Sequence, residues 1–117
     1  MVKILICGAT GFIGRNILEN FSKNKNNQIF AVWYQRKKIN YKNKNIKWVK
    51  ADLRNEKVVN KITKGIDIVI QAAATTTGSK DVINQPYVHV TDNAVMNAYI
   101  FRSCLINKVK HCIFFSC

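Results

Sequence analysis

Acidic residues are scarce in this chain. Six aspartates and glutamates stand against 19 lysines and arginines in 117 residues, a formal charge of +13. None occurs between Glu19 and Asp52, while Arg36 to Lys50 carries seven bases in fifteen positions. Two readings stay open. Such a surplus favours anionic partners such as nucleic acid, a membrane surface or a phosphorylated ligand. A compositional origin also accounts for it, because fifteen lysines and fourteen asparagines are what A+T-rich codons place on solvated faces. Long hydrophobic runs are missing too: nothing approaches the ~20 apolar residues of a membrane span. The N-terminus lacks the basic-then-apolar layout of a secretory signal. A cytoplasmic protein with no membrane partner is the expectation. Cysteine is limited to Cys7, Cys104, Cys112 and Cys117, with no CxxC pair and no histidines spaced to complete a zinc site. These read as reduced, structural thiols, Cys7 and Cys112 lying in apolar runs expected to be buried strands.

What is present fits a folded domain. Hydrophobic content is 48% against 21% charged residues, enough for a real core in a single domain spanning 1–117. Repeats and linkers are absent. Strands are expected in "VKILIC" (2–7), a short apolar run rich in β-branched residues, and in "IFAVWY" (29–34), "IKWVKADL" (46–53), "IDIVIQAAA" (66–74) and "HCIFFSC" (111–117). Helices are expected between them. The first follows a glycine loop, with Ile13, Ile17, Leu18 and Phe21 at helical spacing. A second, "NEKVVNKITKG", has Asn55 as a possible cap and Gly65 as a stop. Pro86, the only proline, opens a long third helix with Val90, Ala94, Val95, Ala98, Phe101 and Leu105 along one face. Alternating strands and helices predict an α/β fold, a parallel sheet covered on both faces. A strand that feeds into nothing after Cys117 predicts a truncated chain.

The stretch "ICGATGFIGRN" places Gly8, Gly11 and Gly14 three apart between a strand and a helix. That context suits a phosphate cradle. Gly8 permits the tight turn, Gly11 lets the backbone approach a pyrophosphate, and Gly14 lets the helix pack on the strand. Unpaired amides and the positive dipole end of the helix then face the phosphates. The spacing is GxxGxxG, not GxGxxG, and no GK[ST] ending signals a nucleotide triphosphate loop.

At this point the chain resembles the extended short-chain dehydrogenases/reductases, the NAD(P)-dependent epimerase/dehydratase group acting on nucleotide sugars. "GATGFIG" is similar to that family's cofactor fingerprint, which implies roles for Gly8, Thr10, Gly11, Phe12, Ile13 and Gly14 in holding the dinucleotide. "ADL" (51–53) resembles its Asp-Leu pair, so Asp52, with Leu53, would receive the adenine amino group. Ala72, Ala73 and Ala74 resemble the small residues against which the cofactor lies, and Asn93 the asparagine that braces the fourth strand. "VKHCIFFSC" resembles the strand leading to the catalytic serine segment. The resemblance implies a Rossmann-like, doubly wound parallel sheet of about five strands in order 3-2-1-4-5. Within the family, the alanines, the chain end and the basic end of the second strand look most like GDP-fucose synthase-type enzymes.

The cofactor reading turns on the end of the second strand. An acid there would bond the ribose 2′-OH of NAD; the chain has none and supplies Arg36, Lys37 and Lys38 instead. Arg36 is the better candidate for a 2′-phosphate, so NADP(H) is preferred over NAD(H). Trp33 and Tyr34 sit in an apolar strand and read as core, the alternative being a base-stacking platform. The family's hydride chemistry needs a YxxxK pair and a serine. Tyr34 and Lys38 fit the pattern literally but lie at the adenosine end, and Ser116 falls just before the catalytic serine position. No catalytic residue is therefore assigned. The resemblance implies that the catalytic half and the nucleotide-sugar-binding domain are absent, and that the complete protein is a homodimer. His89 and His111 read as structural or exposed, and Thr75, Thr76 and Thr77 either line the nicotinamide side or cap a loop. Two other functions remain: a non-catalytic, redox-sensing dinucleotide module, and, more remotely, a basic nucleic-acid binder.

Overall fold

The computed structural model describes residues 1–35, 43–74 and 86–115, with the side chains of 86–89 left out. Five strands are seen: β1 Val2–Cys7, β2 Asn27–Trp33, β3 Ile46–Lys50, β4 Ile68–Gln71 and β5 His111–Phe114. Among the described residues three helices accompany them, α1 Phe12–Ser22, α2 Glu56–Ile62 and α3 Pro86–Ile106. All strand pairs are parallel, in the order β3-β2-β1-β4-β5. The expected Rossmann-like α/β sheet and its order are both found.

Alternation along the strands divides the core into two. Ile4, Ile6, Ile29, Ala31 and Ile70 pack with Leu18 of α1. Leu5, Cys7, Val32 and Val69 point the other way and pack with Val59 of α2 and Met96, Ile100 and Cys104 of α3. β1 sits in the middle, and its last four residues are buried. Helix α2 starts as expected: the Asn55 side chain accepts from the amides of Lys57 and Val58. It ends before Gly65, whose φ of +75° suits glycine while a side chain would meet nothing within 4 Å. The two helices on this face are joined by polar contacts. Arg102 pairs with Glu56 at 2.8 Å, Asn107 donates to Thr63 Oγ1 at 2.7 Å, and Ser103 bonds Asn60.

Three expectations are corrected. The third and fourth strands are shorter than expected, since Ala51–Leu53 and Ala72–Ala74 lie beyond the sheet ladder. The face of α3 toward the core carries Met96, Ile100, Ser103 and Cys104, whereas Val90, Ala94, Ala98, Phe101 and Leu105 are exposed. Apolar residues lie all round this helix, so their spacing does not select a face. Finally, β5 is an exposed edge. Cys112, expected to be buried, is exposed with its strand neighbours, while burial pushes the Cys104 thiol up to about 12. Phe101 crosses from α3 to stack edge-on against Phe114, ring centroids 5.4 Å apart.

An apolar edge strand beside an apolar helix stripe is a template for self-association. Leu105 is 81% exposed and Ile113 44%. Sedimentation of the chain should therefore show mass rising with concentration. A monodisperse monomer at high concentration would refute this.

Candidate functional site

The glycine turn is built by close approach. At Gly8 the backbone takes φ +77°, and a side chain there would lie 2.6 Å from the Ala73 backbone. The Gly8 carbonyl accepts from the Gly11 amide at 3.1 Å, and Ala9 donates to Val32 of β2 at 3.0 Å. Gly14 sits over the same turn, where an added Cβ would fall 2.0 Å from the Gly8 oxygen. Gly11 differs. Among the described residues a Cβ there would meet only Gly8 O, at an ordinary 3.5 Å. It is the N-cap of α1, with no side-chain cap and no acid in the first turn. Among the described residues no side chain caps the opening amides of the helix, an arrangement that suits something anionic from outside.

That something would sit in a cleft of about 580 Å³ at the carboxyl ends of the strands, where open α/β sheets bind ligands. Its walls are the glycine turn (Gly8, Thr10, Gly11, Phe12, Ile13), the end of β2 (Val32–Gln35), the β3 exit (Ala51–Arg54), Ala72–Ala74, and Asp92 and Met96 of α3. Buried Gln71 sets the alanine segment. Its Oε1 accepts from the Ala73 amide at 3.1 Å, while its Nε2 donates to Ala73 O at 3.2 Å and to Asn97 Oδ1 at 2.9 Å. A strand end is thereby pinned to α3 with no side chain larger than methyl facing the cleft.

Charge is concentrated at the other end. Asp52 Oδ1 accepts from the Arg54 amide and from Nε, both at 3.0 Å, and Oδ2 accepts from Nη2 at 3.1 Å. Arg54 Nη1 also reaches Asp92 Oδ2, 3.4 Å away. Hydrogen bonding to the Arg54 side chain holds the Asp52 carboxyl below its ordinary range, burial opposing this and the Tyr34 hydroxyl adding to it. Asp52 is thus a carboxylate throughout the neutral range. Its pair with Arg54 contributes stability above the ordinary carboxylate value and loses it as pH falls through the lowered folded value.

Most of the residues singled out from the sequence meet here: Gly8, Thr10, Gly11, Phe12, Ile13, Asp52, Leu53, Ala72, Ala73 and Ala74 all line the cleft. Gly14 is buried behind the turn, and Asn93 is half-buried on α3 beside the lining residue Asp92. Arg36, Lys37, Lys38, Thr75, Thr76, Thr77, Ser116 and Cys117 lie outside the described residues, as does the side chain of His89. Contrary to the expectation of a core residue, Tyr34 is an exposed cleft residue beyond the end of β2. Trp33 is half-buried, with the Lys50 ammonium 5.3 Å from its ring centroid. Sequence reasoning missed Arg54, Asp92, Gln71 and Asn97. Only Asn97 carried a signal, being one helical turn beyond Asn93. Among the described residues no cluster of histidine, cysteine or carboxylate could hold a metal ion, and no helix is long and apolar enough to cross a membrane.

Comparison with known proteins agrees with this geometry. A family model described as the NAD dependent epimerase/dehydratase family matches residues 4–117. No curated protein matches the chain. Among solved structures it is similar to Pen from Bacillus thuringiensis, at 26% identity and a TM-score of 0.82, over 97% of this chain and 36% of that one. A UDP-N-acetylglucosamine 4-epimerase from Methanobrevibacter ruminantium M1, in complex with UDP-N-acetylmuramic acid, superposes with TM-score 0.80 at 22% identity, over 97% and 37% of the two chains. The Bordetella bronchiseptica enzyme WbmH, in complex with NAD+, gives 0.79 at 20% identity, over 96% and 38%. The chain therefore spans little more than a third of the length of these proteins.

Proposed function

The chain belongs to the NAD dependent epimerase/dehydratase family, and from that premise we propose that it is the dinucleotide-binding part of an enzyme that epimerises, dehydrates or reduces a nucleotide sugar. The observation that carries this is the meeting of Gly11 and the uncapped start of α1 with the Ala72–Ala74 segment and Asp52 around one cleft. The residues fit the group. Helix amides and the glycine turn would take the pyrophosphate, the alanines would let the nicotinamide half lie against the backbone, and Asp52 with Leu53 would receive the adenine. A bound nicotinamide supplies or accepts a hydride.

Within this reading the cofactor is NADP(H). The end of β2 presents Trp33, Tyr34 and Gln35 to the cleft, with no carboxylate to bond a 2′-OH or repel a 2′-phosphate. Arg36, next in the chain, is assigned to the phosphate. Titration of the chain with each reduced cofactor, followed by fluorescence, should give at least tenfold tighter binding of NADPH than NADH. Equal affinities, or tighter NADH, would overturn the preference.

The acid–base pair and the sugar-binding half are then proposed to lie outside these 117 residues, in a cytoplasmic homodimer of the GDP-fucose synthase type. A second reading, a non-catalytic dinucleotide module, would need only the cradle that these residues form. The intact mass of the natural product separates them: near 13.4 kDa favours the module, and a mass near three times that favours the enzyme.

A further inference from the structure

The Arg54 guanidinium is engaged on three sides. Its Nε and its own backbone amide hold Asp52 Oδ1, its Nη2 holds Oδ2, and its Nη1 reaches across to Asp92 on α3. A carboxylate offers about four acceptor directions. Arg54 occupies three of them, leaving, among the described residues, one on Oδ2 for a further donor. Without the fork, an aspartate at a strand exit, its side chain 30% exposed, would be free to turn and accept from any donor.

Resting on the dinucleotide reading above, we propose that Arg54 is a positioning residue that makes Asp52 a reader of the base. It fixes the carboxylate so that its one open direction selects an exocyclic amino group, adenine over hypoxanthine. Adenine brings an N–H donor to that direction. The 6-oxo group of hypoxanthine brings an acceptor, leaving two oxygens facing each other without a proton between them. The span to Asp92 keeps the β3 exit and α3 at a set separation around the base. It also cancels one of the two carboxylate charges that would otherwise meet a polyanionic ligand.

The test uses two probes, the adenine dinucleotide and its hypoxanthine analogue, with the wild-type chain and two groups of variants. Wild type should bind the adenine form about tenfold tighter, a tenfold ratio being about 1.4 kcal/mol. Arg54→Lys keeps the charge and loses the fork, so the ratio should fall to about two while the thermal midpoint moves by no more than about 5 °C. Arg54→Gln should lower the ratio similarly and weaken both dinucleotides. An exposed ion pair contributes at most about 1 kcal/mol to stability, so both variants remain folded. Asp52→Asn replaces an acceptor by an amide that also donates, and should move the preference toward hypoxanthine. A merely structural arginine would change both affinities together and leave the ratio alone. A wild-type ratio retained in Arg54→Lys and Arg54→Gln overturns this inference and leaves the proposed function standing. A wild-type chain that binds neither dinucleotide overturns the proposed function, and the inference with it.

Discussion

Gly14→Ala should lower the thermal midpoint of the chain by about 10 °C or more, although alanine is the better helix former. The propensity gain from replacing glycine inside a helix is about 1 kcal/mol. Against it stands a methyl group placed 2.0 Å from the Gly8 oxygen, 2.7 Å from its carbonyl carbon and 3.0 Å from the Ala9 Cα. All three atoms are backbone, so no side chain can rotate away. Nor can the turn retreat. Gly8 is already pressed against the Ala73 backbone, and Ala9 is bonded to Val32 of β2. Relief requires α1 to lift from the sheet, which loosens the packing of Leu18 on Ile4, Ile6 and Ile29. Overpacking a close contact costs about 1–3 kcal/mol and more where the surroundings are rigid. At backbone contacts this short the cost is about 3–4 kcal/mol, and the net loss of about 2–3 kcal/mol left after the propensity gain gives the stated shift. Denaturation followed by circular dichroism measures it directly, and an unchanged or raised midpoint would show that the helix and the turn are not in contact.

The legibility of this fold follows the range of the forces involved. The order of the elements was readable because each strand is a short, largely apolar run and several turns carry a local device. Asn55 caps α2 through its neighbours Lys57 and Val58, and Gly65 ends it with a positive φ. The glycine turn was readable for the same reason, since Gly8 and Gly14 answer to contacts within a few residues or at the adjoining strand end. What depends on distant partners was not. The buried face of α3 is chosen by the shape of the sheet and α2, and its apolar residues do not declare it. Burial of β5 depends on what lies beyond the edge of the sheet. The Arg54–Asp92 contact joins positions 38 residues apart, and nothing in either local sequence announces it. Asp52 was singled out through resemblance, yet the arginine that holds its carboxylate became visible only in three dimensions.

Gly11→Ala should do the reverse of Gly14→Ala: keep the fold and lose the ligand. The same methyl group, three residues earlier, meets Gly8 O at 3.5 Å, ordinary contact. The backbone at Gly11, φ −77° and ψ 171°, is extended and open to any residue. Alanine is a poorer N-cap than glycine by at most about 1 kcal/mol, so the midpoint without ligand should move by only a few degrees. Binding is another matter. Gly11 lines the cleft, and the opening amides of α1 reach a pyrophosphate only if it comes up against the backbone. A methyl group at that point holds the phosphates off those amides, and affinity for the dinucleotide should drop roughly 100-fold, about 2.7 kcal/mol. Calorimetric titration of Gly11→Ala beside wild type reads this. Unchanged affinity would mean that the ligand does not approach the glycine turn, and the cradle reading would fall. The same variant separates the basic surface from the cleft. Binding of nucleic acid through the lysines would survive Gly11→Ala and fall steeply with salt. Loss of dinucleotide binding in a chain that remains folded assigns the cleft, not the charge, as the site of recognition.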